Sequence, residues 1–133
     1  MTTSLQPNTV LRAGSVRLEH LDLEAADVLC GDPKTRIAEL AVIDDVSVGV
    51  WEVTPGIVTD TESSEVFVVI SGSAVVEFEN SERMLHLSPG TIGRLEAGTR
   101  SRWTVTETLR KVYITLPDAS AAQRGAPASE ERA

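Results

Sequence analysis

The chain has little cysteine, histidine or aromatic content. Its 133 residues include one Cys, two His, two Trp, two Phe and one Tyr. The single Cys30 cannot form an internal disulfide, and because we identify no base that would activate it, we interpret it as structural. No apolar run approaches the roughly 18 to 20 residues that span a bilayer.

The N-terminal residues bear on the location of the protein, and the net charge excludes two classes of partner. Met1 to Pro7 have neither the basic flank nor the apolar stretch of a secretory signal, so we expect a cytoplasmic location. The formal net charge is -8, from 12 basic and 20 acidic residues. This charge repels phosphate backbones and anionic lipid surfaces at long range. We therefore expect neither nucleic acid nor a membrane among the partners.

Short runs rich in Val, Ile, Thr and aromatic residues dominate the chain from Ala38 to Leu116. Turn residues such as Asn80-Ser81 and Ser88-Pro89-Gly90 separate them, which is typical of antiparallel sheets. Eight strands without a strong helix predict an all-β sandwich or barrel, and 133 residues are the size of one domain. The predicted strands are 38–43, 46–53, 65–71, 73–79, 83–88, 91–95, 101–107 and 110–116.

The two ends of the chain differ from this central region. Residues 15–29 are compatible with an edge strand, in which Val16 and Leu18 alternate with polar residues, followed by a short helical turn. The tail has no apolar residue larger than Ala, so burial cannot offset its ordering entropy and we expect disorder. We divide the chain into an N-terminal extension with a possible edge strand (1–26), a barrel (27–116) and this tail (117–133).

Spaced motifs of the barrel region resemble the cupin superfamily. A Pro-Gly turn precedes Glu65, which opens a strand ending at Gly72, and Leu87-Ser-Pro-Gly90 and Gly98 follow. Over about residues 27 to 116 the chain is similar to the cupin subgroup that includes ureidoglycine aminohydrolase and ethanolamine-utilisation cupins. The resemblance implies a single-domain double-stranded β-helix, or jelly-roll, barrel. It rests on Gly31 to Arg36, Gly49 to Trp51, Thr54 to Gly56, Ser88 to Gly90, Ala97-Gly98, Trp103 and Thr108 to Tyr113.

The resemblance implies metal ligands that this chain mostly lacks. Metal-dependent cupins place two His, a Glu and a third His on adjoining inner strands. Only Glu65 matches this set, the third His position falls on Ser101, and His20 and His86 lie outside both motifs. We therefore predict no metal and no cofactor. The positions where the first two His would lie are Val58, Thr59, Asp60, Thr61 and Glu62.

Glu65 is the candidate catalytic residue, as general acid or base. It could instead be a weak metal ligand, or a carboxylate neutralised by a neighbouring Arg or Lys. We favour a hydrated ligand cavity, because Thr59, Thr61 and Ser101 are small, polar hydrogen-bond partners at the surrounding positions. On this hypothesis Glu65→Gln changes stability by no more than about 1 kcal/mol. In an internal ion pair it costs on the order of 3 to 5 kcal/mol.

Three larger side chains complete the predicted ligand-binding set. Trp51 and Trp103 form aromatic walls of the pocket or fill the core, and Trp103 shares its strand face with Ser101. His86 either lines the cavity or is an ordinary strand histidine. Residues 94–111 carry five basic side chains against two acidic ones. We expect these to form cross-strand pairs rather than an anion site.

The sequence thus supports several functions. The leading one is a metal-free cupin that binds, and in one version acts on, a small polar metabolite inside the barrel. The alternatives are an interaction or regulatory module with a decayed site, and a metal-dependent aminohydrolase of the ureidoglycine type. The resemblance also implies a homodimer, in which strand-like residues 15–20 extend onto the sheet edge of a second copy.

Overall fold

The computed structural model describes residues 3–117. In this part of the chain nine strands are joined by turns, and two short 3-10 turns lie at Ala13–Ser15 and Ala25–Asp27. No helix there is long and apolar enough to cross a membrane. The all-β prediction is confirmed. The strands are β1 Glu19–Leu21, β2 Val28–Cys30, β3 Thr35–Ile43, β4 Val46–Val53, β5 Gly56–Thr61, β6 Glu65–Phe78, β7 Met84–Leu87, β8 Ile92–Leu95 and β9 Arg100–Thr115.

All strand pairs are antiparallel and belong to one curled sheet of order β1-β3-β4-β9-β5-β2, to which β6 adds β7 and β8. Strand β9 organises this sheet, since its first half pairs with β5 and the end of β6. Its second half pairs with β4 and the start of β6. The sheet therefore curls around a common interior, in agreement with the predicted jelly-roll barrel.

In two places, a pair of strands predicted from the sequence is one continuous strand in the structure. The runs 65–71 and 73–79 form β6, and the runs 101–107 and 110–116 form β9. Strand β6 bends at Gly72, where φ is +90° and the register with β9 shifts. The sequence prediction also missed β5, since no strand was predicted between residues 53 and 65.

The N-terminal segment packs over the outside of the sheet. Val16 and Leu18 are buried in a cluster with Ala38, Leu40 and Val50, so they cover the outer face instead of forming an edge strand. Arg110 holds the segment by donating hydrogen bonds to its backbone carbonyls. The edge strand is β1, which pairs with β3, and the predicted helical turn is the 3-10 turn at Ala25–Asp27. Residues 118–133 of the predicted tail lie outside the residues that the structure describes.

The inner core fills one end of the barrel with apolar side chains. Phe67, Val69 and Val76 of β6 face Leu109 and Trp103 of β9, and all five are nearly inaccessible to solvent. Burial of such side chains is the main favourable contribution to folding. Toward the ends of β4, β5 and β9, polar side chains replace apolar ones at the positions that face the barrel interior. The candidate site lies there.

Candidate functional site

A buried ammonium group lies at the centre of the site. Lys111 follows Trp103 and Leu109 on the inward face of β9, and only 6% of its side chain is exposed. Its Nζ lies 2.5 Å from Oε2 of Glu65, which opens β6. A buried charge requires compensation of this kind. The Nζ also lies 4.7 Å from the ring centroid of Trp51 and 4.9 Å from those of Phe67 and Trp103, within the range of cation–π attraction.

Two cavities meet at Trp51, Asp60 and Lys111. The larger, of about 350 Å³, extends past Glu65 and Tyr113. The smaller, of about 250 Å³, extends past Trp103 and the β1–β2 connection. These volumes suit a small metabolite. The remaining walls are Ile37, Glu39, Ser47 and Thr115 in the larger cavity and Leu21, Asp22, Leu23, Glu24, Asp27, Thr35, Val58 and Thr59 in the smaller.

Asp60 has an unusual titration for a carboxyl group. The residue is exposed at the rim where the cavities meet, yet surrounding protein removes part of the hydration of its carboxyl. This desolvation, and then the nearby charge of Glu62, raise the pKa of Asp60 to about 6. The nearby Lys111 lowers it by a smaller amount. Asp60 therefore exchanges its proton close to neutral pH.

Glu62 is a buried carboxylate that hydrogen bonds hold in place. It accepts a short hydrogen bond from the Ser101 hydroxyl and another, 3.0 Å long, from the Trp103 indole Nε1. This arrangement fixes the Trp103 ring beside Lys111, so Glu62 positions the aromatic wall.

The structure brings together some of the predicted site residues. Glu65, Trp51 and Trp103 surround Lys111. Thr59 lines the smaller cavity and donates a 3.0 Å hydrogen bond to Asp27 Oδ1. Ser101 is buried against Glu62.

Two predicted ligand contacts lie elsewhere. Thr61 is exposed outside both cavities and accepts a 2.9 Å hydrogen bond from Arg100 Nη1. His86 is exposed on β7, because Leu85 and Leu87 on either side take the positions that face the core.

Three residues of the site were not selected from the sequence, namely Lys111, Asp60 and Glu62. Lys111 was counted only within a basic run, although the alternation that places Ser101 and Trp103 on one face continues to it. Three members of that run form ion pairs of the expected kind or close to it. Two of these join strands, namely Arg102 with Glu77 at 3.1 Å and Arg110 with Glu52 at 2.9 Å. The third joins Arg100 to Asp27 of the 3-10 turn at 3.7 Å, so it is an ion pair but not a cross-strand one.

The donor atoms of the site do not fit a transition metal ion. The carboxylate of Glu65 contacts an ammonium group, and the hydroxyls of Thr59, Thr61 and Ser101 bond to protein groups. Within residues 3–117 no three His, Cys, Asp or Glu side chains form a group that could hold an ion. A transition ion prefers imidazole or thiolate partners, and these are missing around Glu65.

Comparisons with known proteins place this fold in a family. The model of the EutQ-like cupin domain matches residues 42–113. A putative ethanolamine utilization protein Q (EutQ) of Salmonella typhimurium is similar in structure, with a TM-score of 0.66 at 15% identity, over 88% of this chain and 93% of that one.

A Pseudomonas syringae pv. tomato protein of unknown function has a TM-score of 0.67 at 23% identity, over 75% of this chain and 44% of its own. A cupin domain of Schizosaccharomyces pombe has a TM-score of 0.60 at 14% identity, over 85% and 72%. At such identities these likenesses reflect the shared fold, and no curated protein matches the chain. Because the family model covers more than half of its residues, the chain belongs to the EutQ-like cupin domain family.

Proposed function

We propose that this protein binds a small polar metabolite inside its barrel, where Trp51, Asp60 and Lys111 line both cavities, without a transition metal. The observation that carries the proposal is the buried Lys111 ammonium, held by Glu65 and three aromatic rings beside open cavity space. Among the described residues, Glu65 is the one hydrogen-bond acceptor within reach of its Nζ. An ammonium has three N–H donors, so Lys111 has capacity left for an acceptor atom of a ligand.

A purely structural role explains this pair less well. Replacing a buried ion pair by apolar residues of similar volume is often neutral or stabilising. The neighbouring core shows that this barrel fills its interior with Val, Leu and Phe where only packing matters. Charged groups that remain beside a cavity are more typical of a binding site.

Any proton transfer in this site is best assigned to Asp60. A general acid or base works best when its pKa lies near the working pH, and the pKa of Asp60 is raised to about 6. The sequence favoured Glu65 for this role. Glu65 also contacts Lys111 and holds its ammonium in place. We therefore propose Glu65 and Asp60 as an acid–base pair in which Asp60 carries the proton.

The test uses the two tryptophans as reporters. The chain has two Trp, so its amide spectrum contains two indole N–H signals, and both rings line the cavities. We expect members of a library of small polar metabolites to shift the Trp51 signal, and the amides of residues 60 and 111, in a saturable way. Shifts confined to the outer faces, or a library without any binder, would favour a decayed barrel that serves as an interaction module.

The metal content gives a separate prediction. We expect the purified protein to contain far less than one Zn, Fe, Ni or Mn ion per chain, because imidazoles are missing around Glu65. Elemental analysis after mild chelation checks this. About one ion per chain would contradict the metal-free site and favour the aminohydrolase alternative.

The oligomeric state gives another testable prediction. We expect a homodimer, and we now propose β1 instead of residues 15–20 as its contact, because Val16 and Leu18 pack on their own sheet. Strand β1 ends the strand order and pairs with β3 alone among the described strands, so its other edge is available to a second copy. Light scattering at micromolar concentration should give about twice 14.3 kDa. A mass close to that of one chain would contradict the prediction.

A further inference from the structure

The walls of the two cavities carry much more negative than positive charge. Lys111 is the one basic side chain among their lining residues, and Glu65 already neutralises it. Glu24, Glu39 and Asp60 have no ion-pair partner within residues 3–117. An anionic ligand would meet these charges without compensation. The acidic lining residues are Asp22, Glu24, Asp27, Glu39, Asp60 and Glu65.

Trp51 presents an aromatic wall to the same space. Its half-buried indole lines both cavities, and the Lys111 ammonium lies 4.7 Å from its ring centroid. The ring therefore already takes part in one cation–π contact. An aromatic wall beside uncompensated carboxylates is a combination that recognises organic cations, because the ring and the carboxylates both attract positive charge.

Asp60 lies where these features meet. It lines both cavities together with Trp51, and Glu39 stands on the wall of the larger cavity with a 2.8 Å hydrogen bond from the Ser47 hydroxyl. The Ser47 hydroxyl is a neutral donor, so this hydrogen bond brings no positive charge to Glu39. Two negative groups and an indole thus border one cavity of about 350 Å³.

We propose that the metabolite bound in this barrel carries a protonated amine, which lies against Trp51 and donates its N–H groups to Asp60 and Glu39. This inference rests on the proposed function and names the chemical class of its ligand. The positive charge of the amine compensates the carboxylate of Asp60, which has no ion-pair partner among the described residues. The Lys111 ammonium, neutralised by Glu65, lies beside the same ring and offers donors to an oxygen atom of the same ligand.

Three probes of similar size test the charge. We would titrate the protein at pH 7.5 with butylamine, which is protonated there, and with 1-butanol and butyrate. We expect butylammonium alone to shift the Trp51 indole signal and to raise the melting temperature. Its effect should weaken at pH 5, because Asp60 with a pKa of about 6 is then mostly protonated.

Two matched substitutions locate the effect. Asp60→Asn keeps the shape of the side chain and removes its charge, so butylammonium affinity should fall at least tenfold. Asp44→Asn is the control, since Asp44 is exposed in the β3–β4 turn with a φ of 49° that Asn also adopts readily. Its butylammonium affinity should equal that of the unmodified protein.

The stability of Asp60→Asn shows whether the variant folds. A carboxyl whose pKa rises from 3.8 to about 6 on folding favours the folded state at low pH, and this contribution is lost as pH rises through 6. Above pH 6 the charged Asp60 therefore opposes folding. The Asn variant should melt higher than the unmodified protein at pH 7.5, with no such gain at pH 3.5.

The outcomes separate this inference from the proposed function. If butyrate or butanol shifts the Trp51 signal and butylammonium does not, the amine is wrong and the binding cavity stands. Undiminished butylammonium binding by Asp60→Asn also overturns the inference. If none of the three probes binds, the amine is wrong as well. The metabolite library then decides independently whether the cavity binds small molecules.

Discussion

Replacing Lys111 by Met should lower the free energy of unfolding by about 3 to 5 kcal/mol. The substitution leaves the Glu65 carboxylate, 12% exposed, without the cation that compensates it, and removes the cation–π contacts with three rings. Glu65→Gln should cost a similar amount, because it leaves the buried ammonium unpaired. From the sequence we favoured the smaller effect, no more than about 1 kcal/mol, for a hydrated cavity. The contact between Glu65 and Lys111 is the reason that we now expect the larger one.

A double substitution distinguishes the ion pair from simple packing. Lys111→Met combined with Glu65→Leu removes both charges, so it should be less destabilising than Lys111→Met alone. Urea unfolding of the single and double variants measures this coupling. Arg102→Met is the control, since its pair with Glu77 is largely exposed and contributes at most about 1 kcal/mol. If the two losses simply add, Lys111 and Glu65 are not coupled.

Gly72→Ala should destabilise the fold by about 3 kcal/mol or more. The backbone φ of +90° is one that residues with a Cβ rarely adopt, and an added Cβ would overlap the carbonyl oxygen of Thr108 on β9. Strain of this type costs on the order of 1 to 3 kcal/mol, and overpacking against backbone adds about as much. Urea unfolding again measures the loss.

Gly90→Ala is the matched control for this prediction. Its φ is +93°, but no atom lies within 4 Å of an added Cβ, so only the strain remains. The difference between the two variants gives the cost of the contact with Thr108. Equal losses would show that the bend of β6 does not depend on close approach to β9.

The sequence predicted the fold class because strand alternation and turn residues are local properties. It did not predict the continuity of β6 and β9, since whether a strand ends or bends at Gly72 depends on its pairing with a distant strand. It also missed β5, a short strand between Pro55 and Glu62 that is stabilised by β2 and β9 on either side.

The candidate site was predicted in part for a similar reason. Glu65, Trp51 and Trp103 were selected from the motif and from the strand face that carries it. Lys111 was not, because it was counted together with Arg110 in a basic run that we expected to form cross-strand pairs. In a strand, however, adjacent residues face opposite sides. Arg110 therefore holds the outer N-terminal segment while Lys111 enters the barrel.

The place of β9 in the chain bears on how the protein is made. The described strands other than β9 form three separate groups, and β9 is the strand that joins them. The groups are β1, β3 and β4; β2 and β5; and β6, β7 and β8. On the ribosome, residues 19–95 emerge before β9. Until β9 is synthesised, β4, β5 and β6 each have an unpaired edge. Barrel closure therefore follows synthesis of Arg100–Thr115, and nascent chains stalled earlier expose aggregation-prone strands.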